Sequence, residues 1–400
     1  MTSPDAPSLL DRDHGLDASS ECYPDVVRSV FLAPWAARRS EEPDQPTQLA
    51  ARTVVALNEV ARWANDGQSA DPTACAWLAY LRWALSNGAC LPADAPVPPQ
   101  DELDLDFPVL SAPGPHDGDS FQALATGRLG EVARPVLPLA ESPEVLARTA
   151  PYGLIPNIGW KSLIILALDS AAITHGSPEA QTAAAALALV VHAAARARAT
   201  GGTLHEVVRE TARVASEITR PAPRTHELLA LCADPEALAP LWTEPGALAS
   251  RLGRGDTATE ALALGLAALL AVEDSGAAKA TGSTNSARNI TGDDVAGAAR
   301  ALMAEHGVRE GAAHDVAVVV AAARWGLAAA APADDTDGTA AAASNRNAGD
   351  HAVAAPSPPH TPAPGVTATA PQDGKGEEGS AAARAELHAL ADRWNGLWRP

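Results

Sequence analysis

The sequence predicts an all-α fold built as a single orthogonal multi-helix domain. Three observations carry that expectation. Apolar residues make up 46% of the 400-residue chain but aromatics only 4%, and alanine dominates the apolar set. Alanine gives up no side-chain entropy in a helix, whereas strands prefer β-branched and aromatic residues. Apolar stripes recur at helical spacing, and no region shows the period-two alternation of a half-buried strand.

The elements follow in order. Residues 1–45 are polar and Pro-rich with little periodicity, and are expected to be a loosely ordered N-terminal segment. From Gln48 to Ala64 the stripe Leu49, Thr53, Leu57, Val60 and Ala64 predicts a helix, which Asn65-Asp66-Gly67 ends, the glycine supplying a left-handed cap. Asp71-Pro72 opens the next helix, with Asp as N-cap and Pro in the first turn; Trp77, Leu78, Leu81, Trp83 and Leu85 give it an apolar surface. Residues 91–120 form a Pro-, Asp- and Gly-rich loop, long for a compact domain.

Apolar helices at 161–173 and 178–200 are joined by Thr174-His175-Gly176-Ser177-Pro178, where Ser177 is the expected cap and Glu179 suits the positive helix end. Gly201-Gly202 closes the second of them. Thr203 with Glu206, and Thr257 with Glu260, have capping-box spacing. Further helices are expected at 225–232, 257–272, 294–305 and 312–331. The domain organisation is a main helical domain at 46–350, with a linker-like Gly, Ser, Thr and Asn insertion at 273–292. A low-complexity segment follows at 351–380, expected to be disordered. A C-terminal helix at 381–400 is expected to dock on the main domain through Leu387, Leu390, Trp394 and Leu397.

The net charge of -20 and pI of about 4.9 repel a phosphate backbone, so nucleic-acid binding is not expected, although a local pocket can still hold a small anion. Cys22, Cys75, Cys90 and Cys232 lie far apart without CxxC spacing, which argues against a disulfide framework or a zinc site and for buried free thiols. The start lacks a basic region followed by an apolar run, and the apolar stretches are interrupted before about 18 residues. A cytoplasmic protein with no membrane span is expected. No G-x-S-x-G elbow, P-loop, G-x-G-x-x-G or H-E-x-x-H occurs, which excludes the corresponding enzyme classes.

Three constellations could carry chemistry. Asp334-Asp335-Thr336-Asp337-Gly338-Thr339 offers carboxylates one residue apart plus hydroxyls, hard oxygen ligands for a divalent cation. The same residues suit the N-terminus of an Ala-rich helix, and both roles are compatible. In Arg148-Thr149-Ala150-Pro151-Tyr152-Gly153-Leu154, the arginine could position a phosphate, though a surface ion pair is the commoner use of such a residue. His175 could act as a base or ligand, but a histidine in a turn more often bonds backbone carbonyls.

These segments together resemble the ADP-ribosylglycohydrolase family, most closely its bacterial branch. The residues carrying the resemblance are Trp63 to Gly67, Thr73 to Trp83, Leu124 to Glu131, Arg148 to Leu154, Thr174 to Ala180, Thr259 to Leu262 and Asp335 to Asn345, over roughly 47–350. The resemblance implies an all-α fold with two divalent ions, usually Mg2+, in a cleft, and hydrolysis of the glycosidic bond of ADP-ribose conjugates. The partners implied are ADP-ribose or an ADP-ribosylated protein. It also implies Asp335 and Asp337 as metal ligands, with Thr339 a weaker third; it assigns no catalytic residue. Two ions about 4 Å apart would orient a water and polarise ribose hydroxyls.

The chain departs from the family pattern in several places. The early Gly-rich segment is not visible in 1–45. Where the front ligand loop should lie, just before residue 49, stands Asp44-Gln45-Pro46-Thr47, with Gln45 and Pro46 at the carboxylate positions; Asp44 is the only substitute at hand. Glu141 and Glu144 occupy the loop expected to wrap ADP-ribose and would repel a diphosphate. Gly338 stands where a hydroxyl ligand is usual, and Ser177 replaces a second histidine. These departures predict a degenerate site with hydrolysis weakened or lost; the alternative is a non-catalytic ADP-ribose-binding or regulatory protein on the same scaffold.

Overall fold

The computed structural model describes residues 8–11, 15–38, 42–116, 118–244, 246–276, 290–330 and 373–399. Among the described residues the chain is all α-helical, with two isolated β-bridges and no strand. The helices are α1 (Tyr23–Arg38), α2 (Gln45–Asn65), α3 (Pro72–Ser86), α4 (Glu102–Asp106), α5 (Pro108–Ser111) and α6 (Gly118–Ala125). Then come α7 (Glu144–Thr149), α8 (Trp160–Ala172), α9 (Pro178–Thr200), α10 (Leu204–Ala215), α11 (Pro223–Cys232) and α12 (Pro235–Leu238). The last are α13 (Ala247–Leu252), α14 (Ala258–Asp274), α15 (Gly292–Glu305), α16 (Ala312–Trp325) and α17 (Asp373–Trp398).

The caps explain most of the starts. The Asp44 carboxylate accepts from Thr47 N at 3.1 Å and begins α2; Asp71 does the same for α3 through the amides of Thr73 and Ala74. Thr203 and Glu206 form a complete capping box at α10. At α14 only half of the box forms. Thr257 accepts from Glu260 N, while the Glu260 carboxylate turns to the amides of Arg254, Gly255 and Asp256. At α9 Ser177 is the N-cap residue, but its hydroxyl makes no cap bond and donates to Glu141 instead.

α9 is the centre of the core, buried along most of its length and packed by α7, α8, α10, α11, α14 and α16. It is long and apolar enough to cross a membrane, but 94% of its apolar window is buried inside the protein, which makes it a core helix. Its alanines let neighbours come close. A Cβ at Gly153 would stand 2.5 Å from Ala188 O of α9, and one at Gly265 of α14 would stand 2.6 Å from Ala313 O of α16. Only glycine permits these approaches, and the second seats the first turn of α16 on α14. A second apolar cluster joins α2, α3 and α6 through Leu49, Tyr80, Leu81, Trp83 and Leu124.

Three expectations need correction. Residues 1–45 are not loosely ordered throughout, because Tyr23–Arg38 form α1, whose Val26, Val27, Val30 and Leu32 are buried against α16 and α17. The stretch 91–120 is not simply a loop. It carries α4, α5 and the start of α6, each too short for a periodic stripe to show. The four cysteines are free, but only Cys232 is buried and Cys90 is exposed. Of the 273–292 insertion, residues 277–289 lie outside the described residues; so do 351–372 of the low-complexity segment, whereas α17 starts at Asp373.

Candidate functional site

Four elements bring charged side chains to one place. α1 ends at Arg38, α2 begins behind Asp44, α7 begins at Glu144, and α16 carries Asp315 in its first turn. A cavity of about 130 Å³ lies among them, lined by Arg38, Pro46, Pro143, Glu144 and Asp315. Arg38 Nε lies 3.0 Å from Asp315 Oδ1 and Nη2 lies 2.5 Å from Oδ2, a bidentate pair; Nε is also 3.6 Å from Asp44 Oδ2. Arg300 donates to Ala37 O at 2.7 Å and fixes the end of α1 from which Arg38 projects.

Burial works against the charge on Arg38, but the hydrogen bond and charge of Asp315, with the charge of Asp44, outweigh it and hold its pKa above the ordinary value. Burial raises the Asp315 pKa against the pull of that guanidinium. The front of the chain therefore meets α16, far along the sequence, through a cation supplied by the protein itself. Next to this pair the Glu144 carboxylate accepts from Ser120 N at 3.0 Å and from Gln45 Nε2 at 3.1 Å. Burial raises its pKa, opposed by the bonds from Ser120.

Arg148 is placed by α7 but faces the other way. It is fully buried, so a surface ion pair does not describe it. Its Nη2 donates to Thr174 Oγ1 at 2.6 Å, its guanidinium lies 4.7 Å from the Tyr80 ring centroid, and Nε and Nη1 have no protein partner. Thr174 Oγ1 in turn lies 2.7 Å from His175 Nδ1, and His175 Nε2 lies 2.9 Å from Ser142 Oγ. The imidazole thus bonds two hydroxyls rather than carbonyls. Burial, with the charge of Arg148 behind it, drives its pKa well below the ordinary value. A neutral, enclosed imidazole with both nitrogens engaged ties the 141–143 loop to the α8–α9 turn and is not poised as a base.

The buried histidines set a pH dependence. His192, on α9, bonds the Gly153 carbonyl; burial still pushes its pKa down to about 4 from 6.5. Below pH 6.5 the unfolded chain then binds more protons than the folded one, so stability falls as the pH drops through that window, and the penalty levels off below about pH 4. From pH 7 to pH 5, urea unfolding should show a loss of about 2 kcal/mol from His192 alone, with His175 acting in the same direction. A flat stability profile across that range would contradict the burial of these neutral rings.

Asp44, weighed above only as a substitute for the missing front ligands, lies at this cleft, spent on the α2 cap and the Arg38 pair. Asp335, Asp337 and Thr339 lie outside the described residues. Arg38 and Asp315 were not anticipated. The only sequence signals were an arginine closing an unrecognised helix and an acidic residue in the first turn after Gly311. Among the described residues no three His, Cys, Asp or Glu side chains come together to hold a metal ion. Glu141 and Glu144 do not simply line an open loop: the first accepts from Ser177 Oγ at 2.9 Å and the second is tied as above.

Fold and site together define an all-α scaffold that gathers acidic segments from distant parts of the chain around a small cleft. A family model for ADP-ribosylglycohydrolase matches residues 11–302, and the chain belongs to that family. The match takes in α1, so the family domain starts well before the motifs at 47 and beyond, and it ends within α15, short of Asp315. No curated protein matches the chain at a significant level. The family acts on ADP-ribosylated substrates and generally depends on divalent metal. At this cleft the described residues do not fit such an ion, because a guanidinium stands between the Asp44 and Asp315 carboxylates.

Proposed function

We propose that this chain is a divergent, bacterial-branch ADP-ribosylglycohydrolase in which metal-assisted hydrolysis of ADP-ribose conjugates is weakened or lost. One observation carries the reading: the front ligand loop is built as a helix cap. Asp44 spends its carboxylate on Thr47 N and Thr47 Oγ1, Gln45 gives its amide to Glu144, and Pro46 has no ligating atom in its side chain. Any Mg2+ retained would depend on Asp335 and Asp337, with Thr339 a weaker ligand, in a cytoplasmic protein. In an assay with MgCl2 and an ADP-ribosylated peptide, the full chain is expected to release ADP-ribose no faster than a control carrying Asp335→Ala and Asp337→Ala. Robust Mg2+-dependent turnover that the control lacks would overturn the reading.

A second reading, ADP-ribose binding without turnover, is favoured by the tethering of Glu141 and Glu144. Both carboxylates are turned onto protein donors and do not lie free at the loop surface, although each keeps its charge when ionised. Calorimetric titration with ADP-ribose separates the two readings, since binding without release supports this one and absence of heat removes it.

A further inference from the structure

We infer that Arg38 is a built-in replacement for the divalent cation: its guanidinium joins Asp44 and Asp315, and the closed arrangement of the front and back of the domain needs no metal. The inference rests on reading those two carboxylates as the meeting point of the acidic segments. The geometry is specific. Asp315 is fixed by the close seating of α16 on α14 at Gly265, and its carboxyl group is almost fully enclosed. A buried carboxylate requires a partner. Arg38 supplies it through two parallel N–H donors, a planar match that a spherical ion does not offer.

Asp44 lies on the other side of Nε at 3.6 Å, so one cation neutralises two carboxylates contributed by helices far apart in sequence. Arg300 holds the carbonyl before Arg38, which keeps the side chain from swinging out with a frayed helix end. A divalent ion entering the same space would have to displace the guanidinium and then sit beside its charge. A hard cation also needs oxygens at about 2.1 Å in near-octahedral order. The two carboxylates at hand are already committed, one to Arg38 and one to the α2 cap.

The test uses the full chain, Mn2+ as the probe, calorimetry and thermal unfolding. Wild type and Asp315→Asn are expected to take up Mn2+ identically, and Mn2+ is expected to leave the wild-type Tm unchanged. Arg38→Met should melt several degrees lower without metal, because Asp44 and Asp315 then face each other with only the weaker charge of Arg300 nearby to offset them. Mn2+ should raise that Tm, with binding at least about tenfold tighter than in the wild type once the like charge is gone. Arg38→Lys, which keeps a cation, should stay independent of metal.

Wild-type Mn2+ binding that Asp315→Asn abolishes would overturn the inference. So would an Arg38→Met protein with the wild-type Tm and no response to Mn2+. If Arg38→Met does not fold, the wild-type, Asp315→Asn and Arg38→Lys titrations decide alone. Hydrolysis is measured separately, so turnover without Asp315-dependent Mn2+ binding would count against the proposed loss of activity and leave the role of Arg38 standing.

Discussion

Trp394→Ala is expected to destabilise the protein by about 3–5 kcal/mol, the range for emptying a large buried aromatic site. Trp394 is fully buried on α17, which packs on α1, α2 and α5. Its ring meets Phe31 edge-on at 5.6 Å between centroids and stacks with Trp398 at 5.0 Å. Its indole N–H donates to Tyr23 Oη at 2.8 Å, and that hydroxyl donates to Leu154 O at 2.9 Å. One residue near the C-terminus therefore anchors α1 and, through Tyr23, the turn before α8. Trp394→Phe separates the contributions. It keeps most of the ring packing, loses one neutral hydrogen bond, and should cost only about 1 kcal/mol. Equilibrium urea unfolding of both variants is the check; equal midpoints for wild type and Trp394→Ala would mean that α17 does not dock as described.

Trp394 also shows what the sequence could and could not disclose. Its helix was legible because Leu387, Leu390 and Trp394 recur on one stripe; its partner was not, because Phe31 and Tyr23 sit in a segment whose polar, Pro-rich flanks hid the periodicity. α1 even contains Pro34, which argues against a helix locally. Tertiary burial overrides that preference, since Val26, Val30 and Phe31 face the core. The starts of helices with strong caps, such as α3 behind Asp71 and α10 behind Thr203, are legible in the sequence. Helices of four to six residues such as α4, α5 and α7 were not, because one turn carries no period.

The site divides in the same way. Asp44 is visible in the sequence only as a carboxylate beside the front-loop positions that Gln45 and Pro46 occupy. That its partner is Arg38 depends on where α1 ends, and that both face Asp315 depends on the packing of α14 on α16. Neither follows from spacing along the chain. The protein partners of Glu141 and Glu144 are hidden for a related reason: charge type is visible in sequence, but which donor a carboxylate turns to is not.

Asp104→Ala is the other large effect, expected at about 3 kcal/mol. Asp104 sits in α4, in the stretch that gave no helical signal, and it accepts from two arginines. Arg52 Nη2 lies 2.8 Å from Oδ1, and Arg82 Nε bonds Oδ2. The Arg52 side chain is only 1% exposed and its Nε has no protein partner, so it relies on Asp101 and Asp104 for charge compensation. Taking Asp104 away leaves a buried guanidinium with half of its counter-charge, and that loss, more than the pair's own attraction, sets the size of the effect. Asp101 still holds Arg52 Nη1 at 2.7 Å, which keeps the expected value at the low end of the range for a broken buried pair. Burial raises the Asp104 pKa, but its bonds to Arg52 and Arg82 bring it below the ordinary carboxylate value. Its stabilisation is thus present above the unfolded pKa and disappears as the pH falls through the folded one, so the deficit of Asp104→Ala should shrink in acid. The double variant Arg52→Met with Asp104→Leu should recover part of the lost stability, because the two apolar groups need no partners while Asp101 and Arg82 lose theirs. A double variant less stable than Asp104→Ala would show that Arg52 contributes through contacts other than this ion pair.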